Sequence, residues 1–257
     1  MSTPAFSVRS SVDAVVCGRT LRDVVVVADR FAQFGRVEHV LTVTDLRALL
    51  AAGVPAGSGW VVHWGQGIEP EDRELLDGLG PDVRVADEET LPLPVTPELV
   101  HKQRPENVLL AGIRIPSELC CSAELRIHRG NELILDHHTG QHVQGMVVVE
   151  AMRQICIAQF ETGYRPRLPK GGYAGVWKRL NLSFEGFLFP LRATVESEIT
   201  CADLSRETNL RFRATTSVRQ NADVIASAEI EYSMIRQDRI DALERRKAGQ
   251  AVHAQVS

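Results

Sequence analysis

A chain of 257 residues, 44% hydrophobic and 24% charged, is long enough for one large domain or two small ones and has the composition of a folded globular protein. Its net charge of -4 offers no basic field to nucleic acid or anionic lipid, and no apolar run reaches the roughly 18 residues of a membrane span. The start, "MSTPAFSVRSSVDAVV", lacks an apolar core with a cleavage site, and the five cysteines are odd in number without CxxC spacing. A cytoplasmic chain with reduced thiols, and with neither metal nor other cofactor, is the expectation.

Short apolar runs alternate with helical patterns in the first third. "DVVVVADRF" and "GWVVHWG" read as strands, and "DLRALLAAG" and "PEDRELLDGLG" as helices ending at Gly53 and Gly80. "DVRVAD" reads as a further strand, and the alternation suggests a small α/β layer structure. "HWGQGIEPED" places Gly65 and Gly67 between strand and helix. It lacks both the third glycine of a dinucleotide loop and a following Lys-Ser/Thr, so a plain turn is expected. "ADEETLPLPVTPELVHK", residues 86–102, carries three prolines and an acidic cluster and reads as a linker region.

Beyond it the pattern changes. "NVLLAGIRI" and "LCCSAELRI" read as strands, and "NELILDHH" as a turn into a third. Adjacent Cys120 and Cys121 then point to opposite sheet faces and make poor partners for one metal. One long apolar segment follows, "GMVVVEAMRQICIAQFETGY", apolar on nearly every face and therefore a buried helix. "YAGVWKRLNLSFEGFLF", "LRATVESEITCADL", "NLRFRATTSVRQ" and "DVIASAEIEYSMI" alternate with period two, and the tail "RQDRIDALERRKAGQ" is charged. The expected division is residues 1–90 as a small α/β domain, 91–100 as linker, 101–240 as an α+β domain with an antiparallel sheet wrapped around one helix, and 241–257 as a charged tail. A single buried helix wrapped in this way is the hotdog architecture.

The stretch "DHHTGQHVQGMVVVEAMRQ", residues 136–154, concentrates the chemistry. Its histidines are His137, His138 and His142. The pair His138 and His142 has helical metal spacing, but Gly140 lies between them and the HExxH order is absent, so a zinc site is disfavoured. Glu150 stands among Val147, Val148, Val149, Ala151 and Met152. Desolvation there would raise its pKa, as a general acid near neutral pH requires. The plainer alternative is a Glu on the one polar stripe of the helix, paired with Arg153 or hydrogen-bonded by Gln154. A histidine before the helix and a Glu two turns into it can face one cavity. Gly145 at the helix start allows close approach of a ligand, and the first-turn N–H groups can hold a developing oxyanion.

At these residues the sequence resembles the A-factor biosynthesis hotdog family. The matching positions are Asp136-His137, His142-Val143, Gly145-Met146, and Glu150-Ala151 with Arg153-Gln154. "VHKQRPENVLL", residues 100–110, resembles the start of the same domain and brings in His101. More distantly, "HVQGMVVVEAMRQ" resembles the helix of β-hydroxyacyl-ACP dehydratases, in which a catalytic Glu follows a Gly by five residues, as Glu150 follows Gly145. The dehydratase histidine falls at Asp136, next to His137, so His137 and His142 are both candidates. Two features depart from the family: the motif occurs once where butyrolactone enzymes usually carry two hotdog domains, and Gln144 replaces the usual Pro before Gly-Met.

The resemblance implies an acyl-thioester substrate on acyl carrier protein or coenzyme A, in secondary-metabolite or signalling-molecule biosynthesis. It also implies a homodimer with the site at the interface. The expected catalytic set is Glu150 with His137 or His142. The expected substrate-binding set is Gly145, Met146, Gln154, His101 and Trp177, the last on a strand after the helix. Dehydration of a β-hydroxyacyl chain is the leading expectation. Acyl transfer to a glycerol-type hydroxyl or thioester hydrolysis comes second, and a non-catalytic acyl-binding protein third.

Overall fold

The computed structural model describes residues 14–16, 19–53, 58–76, 83–86, 92–134 and 140–256. The chain divides into two compact units. The first joins residues 1–91 to the segments 136–143 and 189–191; the second joins 92–135, 144–188 and 192–257.

The first unit is built on β2 (Arg19–Val27). Strand β1 (Ala14–Val16) pairs with it antiparallel, while β3 (Val40–Thr42) and β4 (Ser58–Trp64) pair with it in parallel. Helix α1 (Val43–Ala52) follows β3 directly because Thr42 and Asp45 form a reciprocal capping box, each side chain accepting from the other's backbone N–H at 3.1 Å. Helix α2 (Pro70–Arg73) leads toward β5 (Val83–Val85), which is parallel to β4. Alternate residues Val24, Val26, Val62 and Trp64 pack with Val43, Leu46 and Ile68 into one core. The expected helix toward Gly80 is shorter than read: it tightens into a 3-10 turn at Glu74–Leu76, and Gly80 lies outside the described residues.

The second unit is a six-stranded antiparallel sheet in the order β6-β7-β9-β10-β11-β8. Its strands are β6 (Leu110–Ser117), β7 (Cys120–Leu125), β8 (Tyr173–Phe184), β9 (Thr194–Asp203), β10 (Asn209–Gln220) and β11 (Asp223–Arg236). Between β7 and β8 runs α3 (Gly145–Gly163), packed on the inner face of β9, β10, β6 and β7. Burial alternates residue by residue along β10 and along β9 as far as Thr200, as their period-two patterns require. Phe160 of α3 is fully buried and meets Phe212 edge-on at 6.0 Å, and Phe212 stacks on Tyr232 at 5.2 Å. Each such ring contributes roughly 1.5–3 kcal/mol by burial. A sheet wrapped around one long buried helix is the expected hotdog arrangement.

The segment expected as a turn into a third strand before α3 does begin as a turn. Asn131 is buried and closes that turn, its Oδ1 accepting from Leu133 N at 3.0 Å and its Nδ2 donating to Glu106 O at 3.0 Å. Residues 135–139 lie outside the described residues. The charged tail belongs to a continuous helix, α4 (Gln237–Val256), in which Ile240 is the one buried side chain. No helix of the described residues is long and apolar enough to cross a membrane.

Candidate functional site

The site is built on the first three turns of α3. Gln144 is its N-cap, with φ -60° and ψ 138°, and neither a side-chain cap nor an acidic residue occupies the first turn. The partial positive charge of the helix start is therefore not offset by a carboxylate of that turn. Met146 is 54% exposed. A Cβ on Gly145 would lie 3.1 Å from the tip of the Phe184 ring, so the glycine admits a close neighbour there, and that neighbour is the chain's own aromatic side chain.

Two turns further, Glu150 sits among cations and amides rather than in a purely apolar pocket. Arg153 Nε donates to its Oε2 at 2.7 Å and Arg153 Nη2 to its Oε1 at 2.8 Å. Lys102 Nζ lies 2.7 Å from Oε1, and Gln154 Nε2 donates to Oε1 at 3.0 Å. Arg153 and Gln154 reach it because positions three and four residues on share its helix face. Burial is the largest single influence on the carboxyl and pushes its pKa up. Arg153, Lys102 and Gln154 together outweigh that and pull it down to about 2. The raised value expected from the apolar flanks of Glu150 is thus corrected: the carboxylate is held ionised.

Gln154, expected to bind substrate, is fully buried. Its Oε1 accepts from Leu109 N at 2.8 Å and its Nε2 donates to Asn107 O at 2.8 Å as well as to Glu150. It ties α3 to the start of β6 and fixes the Glu150 carboxylate from one side. His101 takes the left-handed conformation (φ 52°, ψ 49°) and its Nε2 lies 2.8 Å from Glu161 Oε1, three turns along α3 from Glu150. Trp177 is half-buried on β8, opposite Tyr232 of β11. A bulge beside it leaves Lys178 without an opposite residue, because Arg179 pairs with Glu231 and Trp177 with Tyr232. His142 is half-buried and belongs to the first unit, whereas Glu150 belongs to the second. His137 lies outside the described residues.

Lys102 was not singled out from the sequence. The signal for it was present, since it stands beside His101 in the segment that resembles the family's domain start. Arg153 stood in the motif as a possible partner of Glu150, and the structure makes it the main one. Burial pushes the Cys121 and Cys156 thiols up to about 12, which removes them as nucleophiles. Among the described residues no group of three or more His, Cys, Asp or Glu is arranged to hold a metal ion.

The sequence model of the A-factor biosynthesis hotdog domain matches residues 84–236. Among curated proteins no sequence relative is found. Similar solved structures include the dehydratase heterocomplex ApeI:P from Xenorhabdus doucetiae, at 15% identity over 59% of this chain and 97% of that one, with a TM-score of 0.47. Zebrafish thioesterase superfamily member 2 matches at 13% identity over 48% and 79%, with a TM-score of 0.35. A hypothetical thioesterase with coenzyme A from Streptococcus pneumoniae TIGR4 matches at 11% identity over 49% and 85%, also with a TM-score of 0.35.

Proposed function

Since the chain belongs to the A-factor biosynthesis hotdog domain family, we propose that it acts on an acyl thioester carried by acyl carrier protein or coenzyme A. It transfers the acyl group to a glycerol-type hydroxyl or to water, in secondary-metabolite or signalling-molecule synthesis. The observation that carries this choice of reaction is the ionised Glu150, held by Arg153, Lys102 and Gln154. Dehydration, which the Gly145–Glu150 spacing suggests, would need Glu150 to give a proton to a leaving hydroxyl. A carboxyl of pKa about 2 carries that proton in roughly one molecule in 100,000 at pH 7.

In the proposed reaction a loop histidine, His137 or His142, takes the proton of the attacking hydroxyl as its oxygen bonds to the acyl carbon, and returns that proton to the sulfur of the carrier as the C–S bond breaks. The first-turn amides at Gly145 and Met146 receive the carbonyl oxygen as it gains charge. Lys102 and Arg153 together exceed the single charge of Glu150, which favours an acceptor with an anionic headgroup. Trp177 lies beside the acyl chain. The working form is a cytoplasmic homodimer.

Intact mass measurement of acylated carrier protein, before and after addition of this protein and a glycerol-type acceptor, tests the reading. Loss of the whole acyl group is the expected result. Loss of one water from a β-hydroxyacyl chain would mean dehydration, and an unchanged carrier with tight acyl binding would mean a non-catalytic protein.

A further inference from the structure

The first unit carries a feature that the reaction leaves unexplained. Open parallel α/β sheets bind ligands beyond the carboxyl ends of their strands. Here that end is filled by the chain itself. Just past β4, Gln66 is buried; its N–H donates to Pro190 O at 2.9 Å and its Nε2 to Leu191 O at 3.0 Å. Just past β2, Ala28 N donates to Gln66 O at 3.1 Å. Phe34 stacks on Phe189 with ring centres 5.6 Å apart, and its N–H donates to Gly140 O at 3.4 Å.

Gly65, one of the two glycines that hinted at a nucleotide loop, serves this packing, as does Gly140 in the histidine segment. A Cβ on Gly65 would stand 2.5 Å from Pro190 O. Gly140 has φ +59°, and a Cβ there would stand 2.8 Å from Arg30 O. Both clashes are with backbone, so no side-chain swing relieves them. Val143, at the far end of the described part of the histidine segment, is buried. His142 therefore lies between two seated positions, three residues before Gly145 in the chain.

We infer that the N-terminal α/β unit is a positioning frame for residues 140–143, which carry His142, with Gln66, Phe34 and Gly140 as its positioning residues, and not a nucleotide-binding module. This rests on the reading that His142 is the base. In such a frame, residues that touch no substrate set the rate by fixing the backbone on which the base is carried. A displacement of the base by about an ångström is enough to slow a reaction a hundredfold.

The test uses the full chain and release of free thiol from a β-ketoacyl coenzyme A, with hydrogen exchange followed at residues 140–143. Gln66→Ala is expected to lower kcat about ten- to a hundredfold, to leave KM within about twofold, and to speed exchange at 140–143. Wild-type kcat in a folded Gln66→Ala protein overturns the inference, as does a rise in melting temperature of the wild type with ATP or NAD. If Gln66→Ala does not fold, Gly140→Ala takes its place: a lowered kcat supports the frame and a wild-type kcat overturns it. His142→Ala separates the two levels. If it does not slow turnover, the base assignment fails and the frame fails with it. If it does and Gln66→Ala does not, the frame alone fails.

Discussion

Arg153 grips Glu150 with two nitrogens, Nε on Oε2 at 2.7 Å and Nη2 on Oε1 at 2.8 Å, one turn apart on the same helix. Arg153 Nη2 also donates to Val100 O at 3.3 Å, so the guanidinium is fixed from two sides. A paired and hydrogen-bonded carboxylate of this kind contributes little net energy when intact and becomes expensive when one partner is removed.

Glu150→Gln leaves Arg153 and Lys102 side by side without their anion. The expected loss is about 2–4 kcal/mol of folding stability, read as a lower denaturant midpoint with an unchanged slope. A midpoint within error of wild type would show that the cluster relaxes freely into solvent.

The same cluster makes stability depend on pH in a defined direction. The folded-state pKa of Glu150, about 2, lies below the ordinary 4.5. Its contribution is therefore complete above about pH 4.5 and is lost as pH falls through the folded value. The gap in stability between wild type and Glu150→Gln should be widest near neutrality and close between those two values. Urea melts of both proteins across that range supply the check, and a gap that stays constant with pH contradicts it.

Gln154→Leu keeps the volume but strands Leu109 N–H and Asn107 C=O inside the second unit. A buried N–H and a part-buried C=O left without partners cost roughly 2–3 kcal/mol together. Thermal unfolding should show a drop of several degrees, and an unshifted Tm would mean that water or a rearranged backbone satisfies both groups.

His101 holds a left-handed backbone, which a Cβ disfavours and glycine does not. His101→Gly and His101→Ala both remove the contact with Glu161, so comparison of the two isolates the backbone cost. The glycine variant should be the more stable by about 1 kcal/mol. Equal stabilities would mean that the turn at 97–101 relaxes in the alanine variant.

The parts of this protein that are legible in its sequence are those set by local periodicity. β10 alternates in the chain and alternates in burial, and the apolar run at 145–164 becomes the buried helix. Glu150 stands out because a carboxylate in that run demands a reason. Whether the reason raises or lowers its pKa depends on what lies opposite. Lys102, which decides part of it, comes from a separate turn 48 residues earlier in the chain, beyond the reach of any window of periodicity. The turn at Asn131 is legible in "NELILDHH", but its closure by Glu106 O, a partner distant in sequence, is not. The glycines at 65 and 140 look like loop glycines, and only the backbone of another segment shows why they are there.

The bulge at Lys178 makes one codon of the gene dispensable in length where its neighbours are not. On its carboxyl side Leu180 and Leu182 pair with buried Ile230 and Ala228; on its amino side Tyr173 meets Phe160 at 5.5 Å and Trp177 faces buried Tyr232. Inward positions are thus even-numbered beyond Lys178 and odd-numbered before it. Loss of that single codon would close the bulge, with Trp177 still opposite Tyr232 and Arg179 still opposite Glu231, and every inward residue would keep its side. Loss of Asn181, by contrast, would make Leu180 and Leu182 neighbours and turn one of them to the wrong side of the strand.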